Sequence, residues 1–78
     1  MTAKKRLAQN LKIYRAYFNL SQMEVALQSD LSFRGYGKIE RQEVAASIDK
    51  LEKLSCGTGI PVELLLTEHL EEYLPYLF

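Results

Sequence analysis

The sequence predicts an all-α fold of five helices in one domain. Apolar residues recur at helical spacing, serines and a proline stand where helices would begin, and no alternating strand pattern is present. A chain of 78 residues is short enough to form only one core. We therefore expect residues 1–78 to fold as a single compact domain.

The first two helices are predicted from an apolar stripe and a capping pattern. Apolar side chains recur every three or four residues from 4 to 18, which predicts helix one. They are Leu7, Leu11, Tyr14 and Phe18. Ser21 and Glu24 have the spacing of a capping box, in which each side chain satisfies an amide at the start of a helix. Helix two is therefore expected from Ser21 to about Ser29.

Helix three is predicted after a polar turn. Ser32 is a suitable N-cap, and Asp30 suits the turn because a short polar side chain tolerates left-handed backbone. Helical spacing then gives this helix a basic side and a side that faces the core. The basic side carries Arg34, Lys38 and Arg41. The inward side carries Tyr36, Ile39 and Glu40.

Two further helices are predicted in the second half of the chain. Ser47 is a good N-cap for helix four, which is expected to stop near Gly57. Its expected buried residues are Ile48, Leu51 and Leu54. Pro61 suits the first turn of helix five, predicted over residues 61–74, and Pro75 is expected to end it.

Charge is unevenly distributed along a chain whose formal net charge is zero. Residues 1–41 contain eight Lys or Arg and three acids, a net of +5, whereas residues 42–78 contain two Lys and seven acids, a net of −5. A basic half is compatible with a face that binds polyanions. Two ordinary solvated faces explain the same distribution equally well.

Composition argues against several classes of protein. No apolar run approaches the roughly 18 to 20 residues of a membrane helix, and the N-terminus lacks the apolar region of a secretion signal. With only Cys56 and His69, the chain has neither a cysteine pair for a disulfide nor a Cys/His zinc cluster. We therefore expect a cytoplasmic protein with no enzyme activity, cofactor, metal, membrane partner or evident small-molecule ligand.

A series of short motifs runs in order along residues 7–66. The motifs are Leu20-Ser21-Gln22, Glu24-Val25-Ala26, Leu31-Ser32, Lys38-Ile39-Glu40-Arg41, Ser47-Ile48-Asp49-Lys50-Leu51 and Gly59-Ile60-Pro61-Val62-Glu63-Leu64-Leu65. This series resembles the lambda-repressor-like helix-turn-helix regulators, also called the Cro or XRE family. The chain length and the stretch QSDLSFRGYGKIER are also similar to the small controller proteins of restriction-modification systems.

The resemblance implies a helix-turn-helix motif at about residues 21–41, formed by helices two and three, with helix three in the DNA major groove. The family's base-reading positions fall on Ser32, Phe33, Arg34, Gly37 and Lys38. Its phosphate-contacting positions fall on Gln22, Arg41 and Gln42. The resemblance also implies a structural ion pair between Arg15 and Glu40 that joins helix one to helix three.

The sequence departs from the family pattern at several positions. Asp30 stands where glycine is most usual, Ser29 where an aliphatic residue is expected, and Tyr36 where Ile or Val normally packs. Gly35 and Gly37 lie within the reading helix, where each costs about 1 kcal/mol relative to alanine. The two glycines are compatible with close approach to a DNA backbone and also with lost DNA affinity.

The C-terminal segment carries more apolar surface than one short helix is expected to hide. The candidate residues are Leu70, Tyr73, Leu74, Leu77 and Phe78. A two-fold dimer interface would suit proteins that read half-sites about 34 Å apart. Burial in the core of one chain is the alternative.

These features together predict a sequence-specific transcriptional regulator that binds double-stranded DNA as a homodimer. The alternative is an interaction module, antitoxin-like or antirepressor-like, that keeps the helix-turn-helix fold and binds DNA weakly or not at all. Its support is the net charge of zero and the two glycines of helix three.

Overall fold

Six helices and no strand make up residues 2–78, which are the residues that the computed structural model describes. They are α1 (Ala3–Phe18), α2 (Gln22–Gln28), α3 (Phe33–Glu40), α4 (Ile48–Thr58), α5 (Val62–Leu65) and α6 (Leu70–Leu77). The all-α fold class is confirmed, with one helix more than expected. No helix in residues 2–78 has both the length and the apolar character needed to cross a membrane.

The helix starts follow the capping residues of the sequence. Ser21, Ser32 and Ser47 each accept a hydrogen bond from the backbone N–H three residues later. At Ser21 the capping box is complete, because the Glu24 carboxylate also accepts from the Ser21 N–H at 3.0 Å. Thr2 caps α1 in the same way. Local sequence therefore decides where the first four helices begin.

Three helices end at left-handed residues other than glycine: Asn19, Asp30 and Gln42, with φ of 55°, 54° and 63°. After α2, the N–H of Leu31 returns to the carbonyl of Ala26 at 2.9 Å, as in a Schellman motif. Asp30 therefore performs the role that glycine usually has in this turn. The turn ends α2 and allows α3 to begin within five residues, at Phe33.

The core lies between α1 and the helices that pack around it. Its buried apolar residues are Leu7, Ala8, Leu11, Tyr14, Val25, Ala26, Tyr36, Ile39, Leu54, Ile60, Leu65, Leu70 and Leu74. The expectation that α4 buries Ile48 is wrong, since this side chain is 75% exposed. Ile48 is the first residue of α4, and the helix meets the core only further along, at Leu51 and Leu54.

The predicted fifth helix is two helices separated by residues 66–69. The Nδ2 atom of Asn10, a buried residue of α1, donates to the carbonyls of Leu65 at 2.8 Å and Thr67 at 2.7 Å. Arg6 Nε donates to the carbonyl of Leu66 at 2.7 Å. Side chains of α1 thus satisfy carbonyls that a continuous helix would have bonded internally, so the helix stops there.

The end of the chain also differs from expectation. Pro75 lies inside α6, which continues to Leu77. Pro75 has no N–H to donate to the carbonyl of Glu71, and Glu71 is an exposed residue near the end of the chain. Leu70 and Leu74 are 0% and 1% exposed and belong to the core of this chain. Their assignment to a dimer interface is therefore wrong, because no second subunit could reach them.

Candidate nucleic-acid interface

α3 is held against the rest of the molecule by its inner side. The side chains of Tyr36 and Ile39 are 0% and 1% exposed, as the spacing predicted. Ser32 caps the helix by accepting from the Gly35 N–H at 2.9 Å. The helix that the sequence assigns to DNA reading therefore has a defined orientation, with its other side left to solvent.

Beneath α3, one carboxylate is bound by side chains of three helices. Arg15 donates to Glu40 through Nε at 2.6 Å and through Nη2 at 2.8 Å. Gln22 Nε2 donates to the same carboxylate at 3.1 Å, and the Tyr36 hydroxyl donates at 2.5 Å. The ion pair expected between α1 and α3 is thus present. The network ties α1, α2 and α3 together below the exposed surface.

The ionisation states of this network follow from burial and hydrogen bonding. Burial of the Glu40 carboxylate raises its pKa, but the hydrogen bonds that it accepts lower it by more, and the net pKa lies below its usual value. The hydrogen bond to Glu40 raises the pKa of Arg15. Burial raises the pKa of the Tyr36 hydroxyl, and its hydrogen bond to Glu40 adds to the rise. At neutral pH the network is a charged pair with a neutral phenol donor.

The outer side of α3 carries an aromatic ring and two cations. Phe33 is 51% exposed, Arg34 is exposed and Lys38 is partly exposed. A guanidinium group can pair with O6 and N7 of guanine, a lysine can reach guanine or a phosphate, and an apolar side chain can pack on a thymine methyl. The geometry thus leaves three side chains of suitable chemistry accessible on one helix.

Two other residues assigned to base reading have different positions. The Ser32 hydroxyl is exposed but already accepts the Gly35 N–H. Gly37 is buried, because the guanidinium of Arg41 lies over it: a Cβ atom added at Gly37 would be 2.8 Å from Arg41 Nη1. The assignment of Gly37 to the base-reading surface stays a prediction, because the group that covers Gly37 is the end of one movable, exposed side chain. The lack of a side chain at Gly37 makes room for Arg41.

The residues assigned to phosphate contact are partly engaged within the protein. Gln22 donates to Glu40, and Arg41 pairs through Nε with the carboxylate of Glu43. Gln42 lies between the members of this second pair in left-handed backbone. Residues two apart do not face each other on a helix, so the sequence pattern did not predict the Arg41–Glu43 pair. The end of α3 at Glu40 and the left-handed backbone at Gln42 permit it.

A residue of α4 also reaches this surface. Lys50 lines a depression of about 330 Å³ together with Arg34 and Lys38 of α3. The sequence places Lys50 in the acidic half of the chain, so neither charge distribution nor the family resemblance singled it out. The packing of α4 beside α3 brings it to the basic surface.

The comparisons with known proteins agree with this arrangement. A family model described as helix-turn-helix matches residues 11–65, which is more than half of the chain. Neither the curated proteins nor the solved structures gave a match. The narrower similarity to restriction-modification controllers stays a prediction. The match and the α2–turn–α3 geometry together show that the chain belongs to the Cro/XRE type of helix-turn-helix family, the lambda-repressor-like DNA-binding regulatory domains.

Proposed function

We propose that this protein is a sequence-specific transcriptional regulator that binds DNA as a homodimer and reads the major groove with α3. One observation carries the proposal: Phe33, Arg34 and Lys38 are accessible on a helix whose opposite side is buried. An amphipathic helix with this anchoring can enter a groove without loss of core contacts. The family match supports the DNA-binding part of the proposal.

Each exposed side chain of α3 has a role in this proposal. Arg34 pairs with guanine in bidentate geometry, which discriminates against a wrong base by about 1 to 3 kcal/mol. Lys38 lies one turn later on the same helix and contacts guanine or the backbone. Phe33 packs against a thymine methyl. Ser32 stays a cap whose hydroxyl can also meet the groove edge.

The homodimer is supported by apolar side chains at the C-terminal end that the core covers only in part, although Leu77 packs against the core and the Phe78 ring packs on Tyr14 and Phe18. Tyr73, Tyr76 and Phe78 are 43%, 89% and 50% exposed, and Leu77 is partly buried. Residues 73, 76 and 77 share one side of α6 by helical spacing. We call Tyr73, Tyr76, Leu77 and Phe78 the C-terminal aromatic face. A second copy that covers this face places two reading helices on paired half-sites.

A separate observation supports the alternative function, a protein-binding module with weak or no DNA binding. Leu27 and Ile48 are 73% and 75% exposed, and Met23 is 50% exposed. These apolar side chains belong to α2 and to the start of α4, not to α6. In that proposal, the partner of the helix-turn-helix is another protein.

Selection of bound sites from random duplexes tests the proposal. The wild-type chain is compared with Arg34→Ala, Lys38→Ala and a control, Lys12→Ala, which removes the same charge from exposed α1 surface. We expect an enriched site for the wild type and the control, and relaxed preference at distinct base pairs for the two α3 variants. An unchanged site in both variants would remove α3 as the reader.

The salt dependence of affinity separates the two functions. For DNA binding, log affinity should fall linearly with log salt concentration, with a slope of about −0.9 per phosphate contact. Absence of binding to any duplex would reject the regulator and leave the protein-binding module.

A further inference from the structure

A further depression lies between the end of α2 and α4. It is lined by Gln28, Ser29 and Asp30 at the end of α2 and by Asp49, Glu52, Lys53 and Cys56 of α4. Its volume, about 430 Å³, is within the range of roughly 300 to 1,000 Å³ of ligand sites. None of these residues belongs to the surface that we assign to DNA, so the depression is a separate feature of the molecule.

One buried polar group of this depression has no partner within the chain. Ser29 is 1% exposed, and its Oγ is the only buried side-chain nitrogen or oxygen of residues 2–78 that makes no hydrogen bond. It lies beside Gly57 of α4, where an added Cβ atom would be 2.5 Å away, so a side chain there would displace it. A buried hydroxyl left unpaired costs about 1 to 3 kcal/mol, and folded proteins rarely leave one so. The Ser29 hydroxyl is therefore free to bond a group from outside the chain.

Ser29 and Asp30 are also positions at which this chain differs from the family that it resembles. An aliphatic residue and a glycine would be usual there, and they would remove a hydroxyl and a carboxylate from the lining. The turn itself does not favour the change, because aspartate tolerates left-handed backbone less well than glycine. The polar lining is thus a property of this chain that the turn does not require.

The charged groups of the lining are predominantly acidic. The Nζ of Lys53 lies 3.7 Å from the carboxylate of Asp30. Neither Asp49 nor Glu52 makes an ion pair with another of residues 2–78. Two carboxylates of the lining are therefore uncompensated, and their negative charge attracts a cation.

We propose that this depression, called here the α2–α4 acidic depression, binds a small organic cation that carries a primary ammonium group. The three N–H donors of an ammonium suit a site that offers the carboxylates of Asp49 and Glu52 and the hydroxyl of Ser29. A metal ion fits less well, because no group of three or more His, Cys, Asp or Glu side chains in residues 2–78 is arranged to hold one. This site does not depend on the proposed function.

The remaining lining suits the carbon chain of such a ligand. The thiol of Cys56 behaves as a small apolar group, and the methylene stem of Lys53 adds apolar surface. The sequence pattern does not indicate this site, because its members come from one helix, a turn and a second helix that meet only in the fold.

A titration of the whole chain without DNA tests the site. Putrescine, a linear diamine, is added to ¹⁵N-labelled protein at constant ionic strength, and the backbone amide signals of Ser29 and Cys56 are followed. Butanediol, in which a hydroxyl replaces each ammonium, is the control compound. We expect saturable shifts with the diamine and none with the diol. Equal shifts with the two compounds, or none with the diamine, would overturn the proposal, whereas the proposed function would stand because no DNA takes part.

A charge variant separates this site from general attraction to an acidic surface. Asp49→Asn removes one uncompensated carboxylate and should raise the Kd for putrescine at least several-fold. The matched control is Glu63→Gln, because Glu63 is an exposed acid in the first turn of α5, as Asp49 is in α4. This control should leave the Kd unchanged. Equal effects of the two substitutions would show bulk charge attraction and reject the site.

Ser29→Ala tests the contact with the buried hydroxyl. Because this hydroxyl has no partner in the chain, its removal should not lower the free energy of unfolding measured in urea. The Kd for putrescine should nevertheless rise several-fold. An unchanged Kd would contradict the proposed site. A lysine-containing tripeptide is titrated in parallel, and tighter binding of this peptide than of putrescine would reject the assignment to a small ligand.

Discussion

Arg41 shows how one neighbouring acid can set the availability of a residue that the sequence assigns to DNA. The sequence assigns this arginine to a phosphate, but its Nε is paired with Glu43 and its guanidinium covers Gly37. The hydrogen bond from Arg41 holds the pKa of Glu43 below its usual value, and the charge of Lys38 acts in the same direction. Glu43 therefore stays ionised and competes with a phosphate for Arg41.

The substitution Glu43→Gln should strengthen DNA binding. A neutral amide competes less well for Arg41, which then makes one more phosphate contact, and the salt slope should steepen by up to about 0.9. The selected duplex and fluorescence anisotropy at several salt concentrations provide the measurement. Glu52→Gln is the matched control, because Glu52 is an exposed acid on the far side of α4. If both variants gained affinity equally, bulk charge and not release of Arg41 would be the cause.

At the scale of elements, the close approach of α2 and α4 depends on a missing side chain. A Cβ atom at Gly57 of α4 would lie 2.5 Å from the Ser29 hydroxyl oxygen and 2.6 Å from the carbonyl oxygen of Gln28. The second obstacle is backbone, which cannot rotate away. The separation of these two helices is therefore set by Gly57, and with it the position of the α2–α3 turn.

Gly57→Ala should destabilise the protein, whereas Gly37→Ala should not. Forcing a methyl group into the α2–α4 contact costs about 1 to 3 kcal/mol. At Gly37 the obstacle is the movable guanidinium of Arg41, so a gain of up to about 1 kcal/mol from higher helix propensity remains. Urea unfolding of both variants measures the difference. If Gly37→Ala lowered the free energy of unfolding as much as Gly57→Ala, the distinction between a movable and a fixed obstacle would be contradicted.

The Glu40 network makes the packing of three helices dependent on pH. The pKa of Glu40 is lower in the folded protein than its usual value, so the unfolded chain takes up this proton first as pH falls. The stabilisation is fully present above the unfolded-state pKa of about 4.3. It is lost as pH falls from there through the lower folded-state pKa.

Glu40→Gln should destabilise the protein at neutral pH and remove much of this acid sensitivity. Arg15 would lose its charged partner, and breaking a buried pair typically costs about 3 to 5 kcal/mol. We expect a loss at the lower end of this range, because 24% of the Arg15 side chain is exposed to solvent. Urea unfolding from pH 7 to pH 3.5 measures the free energy of unfolding, and Glu52→Gln serves as the control. A difference between wild type and Glu40→Gln that did not shrink toward pH 3.5 would contradict the assigned pKa.

At the scale of the whole molecule, one chain cannot read two half-sites. The chain extends 30 Å along its longest axis and contains one α3, whereas paired half-sites are centred about 34 Å apart. Reading a palindromic site therefore needs a second copy. The C-terminal aromatic face is the exposed surface that we assign to this contact.

Tyr76→Glu should convert the proposed dimer into a monomer. Tyr76 is 89% exposed, so the charge would disturb the interface without entering the core. Sedimentation equilibrium gives the mass of each species, and urea unfolding at a concentration below the dimer dissociation constant checks the fold. Leu27→Glu is the control on the other exposed apolar surface. A monomer produced by Leu27→Glu and not by Tyr76→Glu would move the interface to α2.

Much of this molecule follows from local patterns in its sequence. The apolar stripe of α1, the serine caps and the residues of the α2–α3 turn determine helices and a helix-turn-helix, because they act over one or two turns of chain. The orientation of α3 was predictable for the same reason, since helical spacing alone separates Tyr36 and Ile39 from Arg34 and Lys38. The Arg15–Glu40 pair was predictable from the family resemblance.

Tertiary structure alone decided the rest, because it depends on which distant residues meet. Asn10 donates hydrogen bonds to carbonyls more than fifty residues away and so divides the C-terminal segment into two helices. The second of these helices packs with Leu70 and Leu74 in the core. Lys50 belongs to the acidic half of the sequence, but the packing of α4 beside α3 places it in a depression with Arg34 and Lys38. Neither helical periodicity nor a count of charges predicts these contacts, because each forms only when the helices pack together.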